Sequence, residues 1–432
     1  GTAAGTRMVK DMFPGMWGRM PNSSSPRDYL RLGNRLLFGA ATSLTGGPKP
    51  FGSNGTDSGT AQLVSPVTEF MNRFVKVRNQ AFFGVYNADE TSTMYRTDGT
   101  ASGTVRVASS HYTTFPAPFA AAGDRLICLQ RDGYYMGEPR LRLVSMNASG
   151  GDVREYASVP FLTTPNMPRT FTYSTGNTLY FSAFDEAREL GIWRTDGTPE
   201  GTSLVRNYGR SIPVSYPYMP YDWEAFPING LFFFPAPSGQ MSGYAVWRSD
   251  GTADGTYPLF AGIPLEMAEH DGLLFCITWD GRLVASDGTV AGTRQITHLI
   301  RRARGSVVED VYPLGDRAVY PVNPAVVLSQ GKNIGGRQYW GTDGTPNGTQ
   351  IIAQVDRYYG RRYDEENPPI LLGGRLFFLM DGLLMSTDGT PAGTRPVSGL
   401  TGNTTTVNTL SYTYKYFSAD DRGVLLPFVP VD

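Results

Sequence analysis

Apolar and polar positions alternate over short runs along this chain, and no window sustains the helical period. The stretch 169–206 shows the pattern most plainly. Arg169 to Tyr173 is an extended, β-favouring run, and Thr175-Gly176-Asn177 reads as a turn. Thr178 to Phe184 alternates and carries aromatics, Gly191 to Thr195 is a third strand, and Thr202 to Arg206 a fourth. The third and fourth strands are joined through Trp193-Arg194-Thr195-Asp196-Gly197-Thr198-Pro199-Glu200-Gly201-Thr202. Its chemistry predicts a turn. The Asp side chain accepts hydrogen bonds from following backbone N–H groups, and the first Gly takes the left-handed conformation. The second Gly-Thr returns a bulged hairpin to the sheet.

The pattern aromatic-x-x-Asp-Gly-Thr-x-x-Gly-Thr then recurs. It stands at Tyr95 to Thr104, Trp247 to Thr256 and Trp340 to Thr349, and at Val284 to Thr293 and Met385 to Thr394 with Val or Met in the aromatic's place. Weaker copies lie at Ser53 to Thr60 and around Asn147-Ala148-Ser149. The predicted structural turns are thus Asp98-Gly99, Asp196-Gly197, Asp250-Gly251, Asp287-Gly288, Asp343-Gly344 and Asp388-Gly389. A ninth copy is divided between the two ends, with Phe428 to Asp432 at one and Gly1 to Thr6 at the other, so that Asp432 pairs with Gly1. Tyr180-Phe181-Ser182-Ala183 precedes Asp196 by the spacing that separates Tyr416-Phe417-Ser418-Ala419 from Asp432. Read as a circle, the nine motif positions are 37 to 56 residues apart.

A period of about 40–50 residues with strand content predicts an all-β fold, a single closed β-propeller of four-stranded blades. Nine blades are expected, with eight as the fallback. Their approximate bounds are 28–64, 68–107, 115–159, 169–206, 223–260, 265–298, 307–355 and 369–397, with the last made of 405–432 plus 1–10, all in one domain spanning 1–432. The N- and C-terminal strands are expected to close that last blade, Leu425 to Val431 as its third strand and Thr6 to Lys10 as its fourth.

On Ile192-Trp193-Arg194-Thr195-Asp196-Gly197-Thr198 and Val246-Trp247-Arg248-Ser249-Asp250-Gly251-Thr252, the chain resembles the ELWxxDGT-repeat proteins. The motif's Glu is absent throughout. The resemblance implies a secreted, periplasmic or cell-surface protein of a Gram-negative bacterium. It transfers no catalytic residue, because the family motif is a structural turn.

Composition adds bounds. The 51 Gly and 31 Pro punctuate short strands, and 12% aromatics suit sheets packed face to face. Cys128 and Cys276 fall in second strands three blades apart, too distant for a disulfide. A formal charge of −1 argues against nucleic acid as a partner. No run of apolar residues is long enough for a transmembrane helix. Of 38 basic residues only five are Lys, an Arg bias that either favours forked recognition of carboxylate or sulfate or reflects genome composition.

Loop lengths distinguish two faces. The first-to-second-strand turns and the Asp-Gly-Thr turns are short and share one face, while the long connections share the other. Loops on a rigid scaffold carry function. The long ones hold Trp17, Tyr216, Tyr218, Tyr221, Trp223, Arg301, Arg302, Tyr358, Tyr359, Arg361, Arg362 and Tyr363. Aromatic faces stack on sugars or anchor a protein, and Arg adds bidentate hydrogen bonds. The same side chains could instead pack their own loops. His111, His270 and His298 lie in different blades without metal spacing, and Glu269-His270-Asp271-Gly272 reads as a turn. Asp222 with Glu224, Glu309 with Asp310, and Asp364-Glu365-Glu366 are read as solvated loop charge rather than an acid–base pair. Each motif offers one carboxylate, too few for calcium. No catalytic residue, metal or cofactor is assigned. The expectation is a non-enzymatic binding or scaffold propeller with a protein partner or surface polysaccharide. The alternatives are a polysaccharide lyase or hydrolase with its site in the central channel, and a structural subunit of a large surface assembly.

Overall fold

The computed structural model of the chain describes residues 8–17, 20–44, 47–67, 69–70, 73–87, 91–111, 117–135, 138–156, 161–163, 171–185, 187, 189–208, 225–238, 243–270, 272–278, 280, 282–298, 312–314, 317–322, 327–329, 332–334, 338–354, 369–380, 383–397, 418–420 and 423–425. Every regular element among them is a β-strand. Two compact units are present. The first comprises 1–225, 237–242 and 251–256, and the second comprises 226–236, 243–250 and 257–432.

The strands form antiparallel meanders of four, numbered here as sheets in chain order. Sheet 1 is Arg27–Leu32, Arg35–Ala40, Lys49–Ser53 and Ala61–Gln62. Sheet 2 has Gln80–Tyr86, Thr91–Thr97 and Val105–His111, with Glu69–Phe70 and Val75–Val77 both pairing with the first of these. Sheet 3 is Ala117–Ala122, Arg125–Tyr135, Glu138–Asn147 and Arg154–Glu155. Sheet 4 is Thr172–Thr175, Thr178–Phe184, Leu190–Thr195 and Ser203–Asn207. In the second unit, sheet 5 is Phe226–Ile228, Leu231–Pro237, Tyr244–Ser249 and Tyr257–Ala261. Sheet 6 is Pro264–His270, Leu273–Thr278, Arg282–Ser286 and Arg294–His298. Sheet 7 is Tyr312–Leu314, Arg317–Val322, Gln338–Thr342 and Gln350–Gln354. Sheet 8 is Ile370–Leu372, Arg375–Met380, Leu383–Thr387 and Arg395–Pro396. A last hairpin, Ser418–Asp420 with Gly423–Leu425, lies against the first strand of sheet 8.

The second strands are the centre of each meander. Gln80–Tyr86 is buried from Ala81 to Val85, and its two phenylalanines point to opposite faces. Phe83 joins Leu32, Leu37 and Phe70 between sheets 1 and 2, while Phe82 joins Leu126, Cys128 and Val144 between sheets 2 and 3. Sheets 3 and 4 meet through Ile127, Leu143, Leu179 and Phe181, and sheets 7 and 8 through Val319, Tyr339, Leu376 and Phe378. A strand covered on both sides reads as an apolar run rather than an alternation. The expected alternation in Thr178–Phe184 accordingly gives way to a buried run from Phe181 to Phe184.

The meander departs from expectation in four places. Sheets 3 and 4 are not separate, because Phe161–Thr163, in the connection between them, pairs with Arg140–Arg142 on one side and with Phe184 on the other. Both sheets therefore belong to one nine-stranded sheet. The connection 11–27 contains a hairpin, Met16–Trp17 with Met20–Pro21, and the insertion 323–336 contains another, Val327–Ser329 with Lys332–Ile334. Met8 to Lys10, expected at the end of a closing fourth strand, pair with no strand among the described residues. Residues 1–7 and 426–432, on which the expected closure rests, lie outside them, and no described sheet closes on itself.

Candidate functional site

The recurring motif builds a closed hydrogen-bond circuit. In the copy at Asp196, Oδ1 accepts from the Thr198 N–H at 2.9 Å and from the Thr198 hydroxyl at 2.7 Å. Thr198 Oγ1 accepts in turn from the Gly201 N–H at 2.9 Å. The Thr202 hydroxyl donates to the Thr198 carbonyl at 2.6 Å, so the proton between Thr195 and Thr202, 2.7 Å apart, belongs to Thr195. Thr195 Oγ1 also accepts the N–H of Gly197 at 3.0 Å. The same circuit stands at Asn54, Asp98, Asp287, Asp343 and Asp388.

The two glycines serve different physical ends. The first is left-handed at the regular copies among the described residues, with φ of +92° at Gly99, +91° at Gly197 and +89° at Gly251. The second makes room for the carboxylate: a Cβ on Gly201 would sit 2.1 Å from Asp196 Oδ1. A residue absent from the predicted motif completes the circuit. The position before the Asp is a buried hydroxyl, Thr97, Thr195, Ser249, Ser286, Thr342 and Thr387, and in the first copy Ser53. The recurrence of Ser or Thr at that place in the regular copies was readable from the repeats. In the degenerate copy it is Met146, Asn147 Oδ1 accepts from Ser149 and Gly151, and the left-handed glycine moves to Gly150. The expected bulge falls immediately before the motif's first residue, between Met94 and Tyr95, Ile192 and Trp193, Val246 and Trp247, Leu283 and Val284, and Tyr339 and Trp340.

Several of these turns are also bonded by residues outside their own sheet. Ser145 on sheet 3 donates to the Gly197 carbonyl at 2.6 Å, and Arg125 Nε donates to Ser145 Oγ at 3.2 Å. Arg294 on sheet 6 donates to Gly344 O at 2.7 Å, and Arg317 on sheet 7 to Gly389 O at 3.1 Å. Arg248 and Tyr257 on sheet 5 reach Gly288 O, and Arg206 on sheet 4 reaches Ala253 O at 3.0 Å. The Arg bias is thereby partly structural: guanidinium forks satisfy turn carbonyls rather than a ligand. Lys10 donates to the Asp57 and Thr60 carbonyls of the first turn at 3.3 and 3.0 Å.

The Thr100 hydroxyl holds the Asp98 carboxyl below its ordinary value, and Thr289, Thr345 and Thr390 do the same for Asp287, Asp343 and Asp388. Such groups are ionised acceptors near neutral pH, not acids or bases. Asp152 is lowered by its bonds to Arg125 and Arg154. Cys128 and Cys276 are buried free thiols, and burial pushes the Cys128 thiol far up. Among the described residues no group of three His, Cys, Asp or Glu is arranged to hold a metal ion. No helix there is long and apolar enough to cross a membrane.

The loop residues singled out from sequence lie almost wholly outside the described chain. Tyr216, Tyr218, Tyr221, Trp223, Arg301, Arg302, Tyr358, Tyr359, Arg361, Arg362 and Tyr363 are all outside it, as are Asp222, Glu224, Glu309, Asp310 and Asp364 to Glu366. So are Asp432 and Gly1. The backbone of Trp17 belongs to the hairpin preceding sheet 1. His111, His270 and His298 are the last residues of strands, His111 in sheet 2 and, against the expectation of separate blades, both His270 and His298 in sheet 6. Within Glu269-His270-Asp271-Gly272 the Glu269 carboxylate accepts the Gly272 N–H at 2.8 Å, and Asp271 lies outside the described residues.

No protein-family model matches the chain, and no curated protein matches it. Among solved structures it is similar to a prolyl endopeptidase, at 12% identity and a TM-score of 0.39, over 84% of this chain and 54% of that one. The chain thus spans about half the length of that enzyme. It is also similar to an uncharacterized protein of Listeria monocytogenes EGD-e, at 10% identity and a TM-score of 0.29, over 74% of this chain and 90% of the other. A third similarity is to the β-propeller domain of the trilobed protease from Pyrococcus furiosus, which has an open velcro topology, at 10% identity and a TM-score of 0.35, over 78% and 100% of the two chains.

Proposed function

We propose that this chain is a β-propeller of the ELWxxDGT-repeat kind, closed as a ring of nine blades. It acts outside the cytoplasm of a Gram-negative bacterium as a non-enzymatic binding or scaffold protein. The observation that carries the reading is the division of labour between its two kinds of connection. In the turns at Asn54, Asp98, Asp196, Asp287, Asp343 and Asp388 the hydroxyls and the Asp or Asn side chain are spent on the turn itself, and the carbonyls of Gly197, Gly344 and Gly389 accept from the preceding sheet. Turns so committed serve construction. The long connections vary from repeat to repeat and carry the aromatic and Arg residues, which suits recognition of a protein surface or a glycan.

The test replaces Tyr358, Tyr359, Arg361 and Arg362 together with Ala or Ser. The expected outcome is a thermal midpoint close to the parent's, with weakened retention of the native partner or of surface polysaccharide from the source cells. A collapse of the folded state instead would show these side chains packing their own loop, and the binding reading would fail.

A further inference from the structure

We infer that Asn229, in the loop joining the first two strands of sheet 5, is a site of spontaneous deamidation in the folded chain. The sequence holds three Asn-Gly pairs, Asn54-Gly55, Asn229-Gly230 and Asn347-Gly348. In such a pair the backbone nitrogen of the glycine attacks the Asn carboxamide carbon, because no side chain on the glycine obstructs the approach. The nitrogen gives its proton to water, the new C–N bond closes a succinimide, and the carboxamide nitrogen leaves as ammonia. Water then opens the ring at either carbonyl, leaving Asp or isoaspartate. No electrons are transferred, and water is the only co-reactant. All three asparagines are exposed, so access to solvent does not rank them. The state of the two reacting groups does.

At Asn54 both groups are committed. The Gly55 N–H donates to Ser53 Oγ at 3.1 Å, and Asn54 Oδ1 accepts from the Thr56 N–H at 3.1 Å and from its hydroxyl at 2.8 Å. At Asn347 the nucleophile is committed, since the Gly348 N–H donates to Thr345 Oγ1 at 3.0 Å and Gly348 stands against the Asp343 carboxylate. A hydrogen-bonded N–H beside a negative charge gives up its proton least readily. At Asn229 neither group is committed. Ile228 pairs with Leu231, which leaves Asn229 and Gly230 outside the ladder. Their carboxamide and N–H bond to no other group among the described residues. The space beside Gly230 is open, and a Cβ there would meet nothing within 4 Å. The leaving nitrogen faces sheet 6, where a Cβ on Gly272 would lie 2.9 Å from Asn229 Nδ2. The Glu269 carboxylate already holds the Gly272 N–H at 2.8 Å. Deamidation therefore brings a second carboxylate toward that glycine and weakens the seam between sheets 5 and 6. Isoaspartate in addition inserts a main-chain carbon into the tight loop.

The experiment incubates the purified full chain, native and in urea, in mildly alkaline buffer at physiological temperature. Samples are digested under mildly acidic conditions, and the three Asn-Gly peptides are followed by mass spectrometry with Asp and isoaspartate separated. In urea the three pairs should convert at similar rates. In the native chain Asn229 should convert several-fold faster than Asn54 and Asn347. Equal native rates, or a faster Asn54 or Asn347, would overturn the inference. The same ranking in urea would also overturn it, because sequence rather than fold would then set the order. So would a native Asn229 that stays intact while the urea sample converts. Thr345→Ala frees the Gly348 N–H and should raise the rate at Asn347 several-fold without changing Asn229, whereas Thr345→Ser keeps the hydroxyl and the parent rate. An unchanged Asn347 in Thr345→Ala would show that the committed N–H is not what protects it. Asn229→Asp, which installs one product directly, should lower the thermal midpoint, and a midpoint equal to the parent's would overturn the weakened seam.

Discussion

At the scale of single residues, the turn carboxylates set how stability responds to acid. Asp98, Asp287, Asp343 and Asp388 are each lowered in the fold by a threonine hydroxyl. A carboxyl lowered on folding contributes stability that is fully present above its unfolded value, about 4, and is lost as pH falls through the folded value. Replacing all four by Asn keeps the Oδ1 acceptor, as Asn54 and Asn147 do already. The expected result is a near-parent melting temperature at pH 7 and a shallower fall between pH 5 and 3, measured by melts across that range (about one unit either side of the unfolded value). Equal slopes would refute the role. Gly197→Val should cost roughly 1–3 kcal/mol in backbone strain alone, and its Cβ would meet the Arg125 side chain at 2.7 Å. Melts of that variant matching the parent would show the left-handed turn to be misassigned. Gly201→Ala should be costly in the parent and much cheaper beside Asp196→Ala, because the clash is with the carboxylate. Two additive losses in denaturant unfolding would dismiss that steric account.

Elements are held by pairs of neighbouring sheets. Phe82 and Phe83, adjacent in sequence, serve different interfaces, and truncating either to Ala should cost about 3–5 kcal/mol. Arg125 is the more instructive case. Its guanidinium meets the Asp152 carboxylate and carbonyl at 2.6 Å and also Ser145, and only 9% of its side chain is exposed. Arg154 meets the same carboxylate with 41% exposed. Arg125→Met should therefore cost about 1.5–3 kcal/mol, and Arg154→Met about 0–1 kcal/mol. Chemical denaturation giving equal losses would contradict the distinction. The sequence made the meanders legible because a tight turn demands Asp and Gly at fixed places. The bonds between sheets were not legible, since a carbonyl acceptor belongs to every residue and leaves no mark. Phe161–Thr163 was missed for another reason: three residues within an expected connection give too short a pattern to read as a strand.

For the whole molecule, what could be read in the sequence was the repetition, and what could not was the use made of it. Repeats fix where strands start and stop. Of the residues expected to bind, Tyr216, Tyr218, Tyr221, Trp223, Arg301, Arg302, Tyr358, Tyr359, Arg361, Arg362 and Tyr363 lie in stretches with no repeat to compare against and outside the described chain. No periodicity of side chains constrains them. One feature reaches further. Because the glycine carbonyls at Gly197, Gly344 and Gly389 are bonded by the sheet before them, the piece that can be copied intact there is offset from the sheet. It runs from one Asp-Gly-Thr to the next, carrying a turn for its predecessor and donors for its successor. Gene duplication or loss of such a segment leaves every seam with a matching half. The lineage can therefore change its number of repeats in single genetic events, while crossovers at sheet boundaries would strand a donor on one side and a carbonyl on the other.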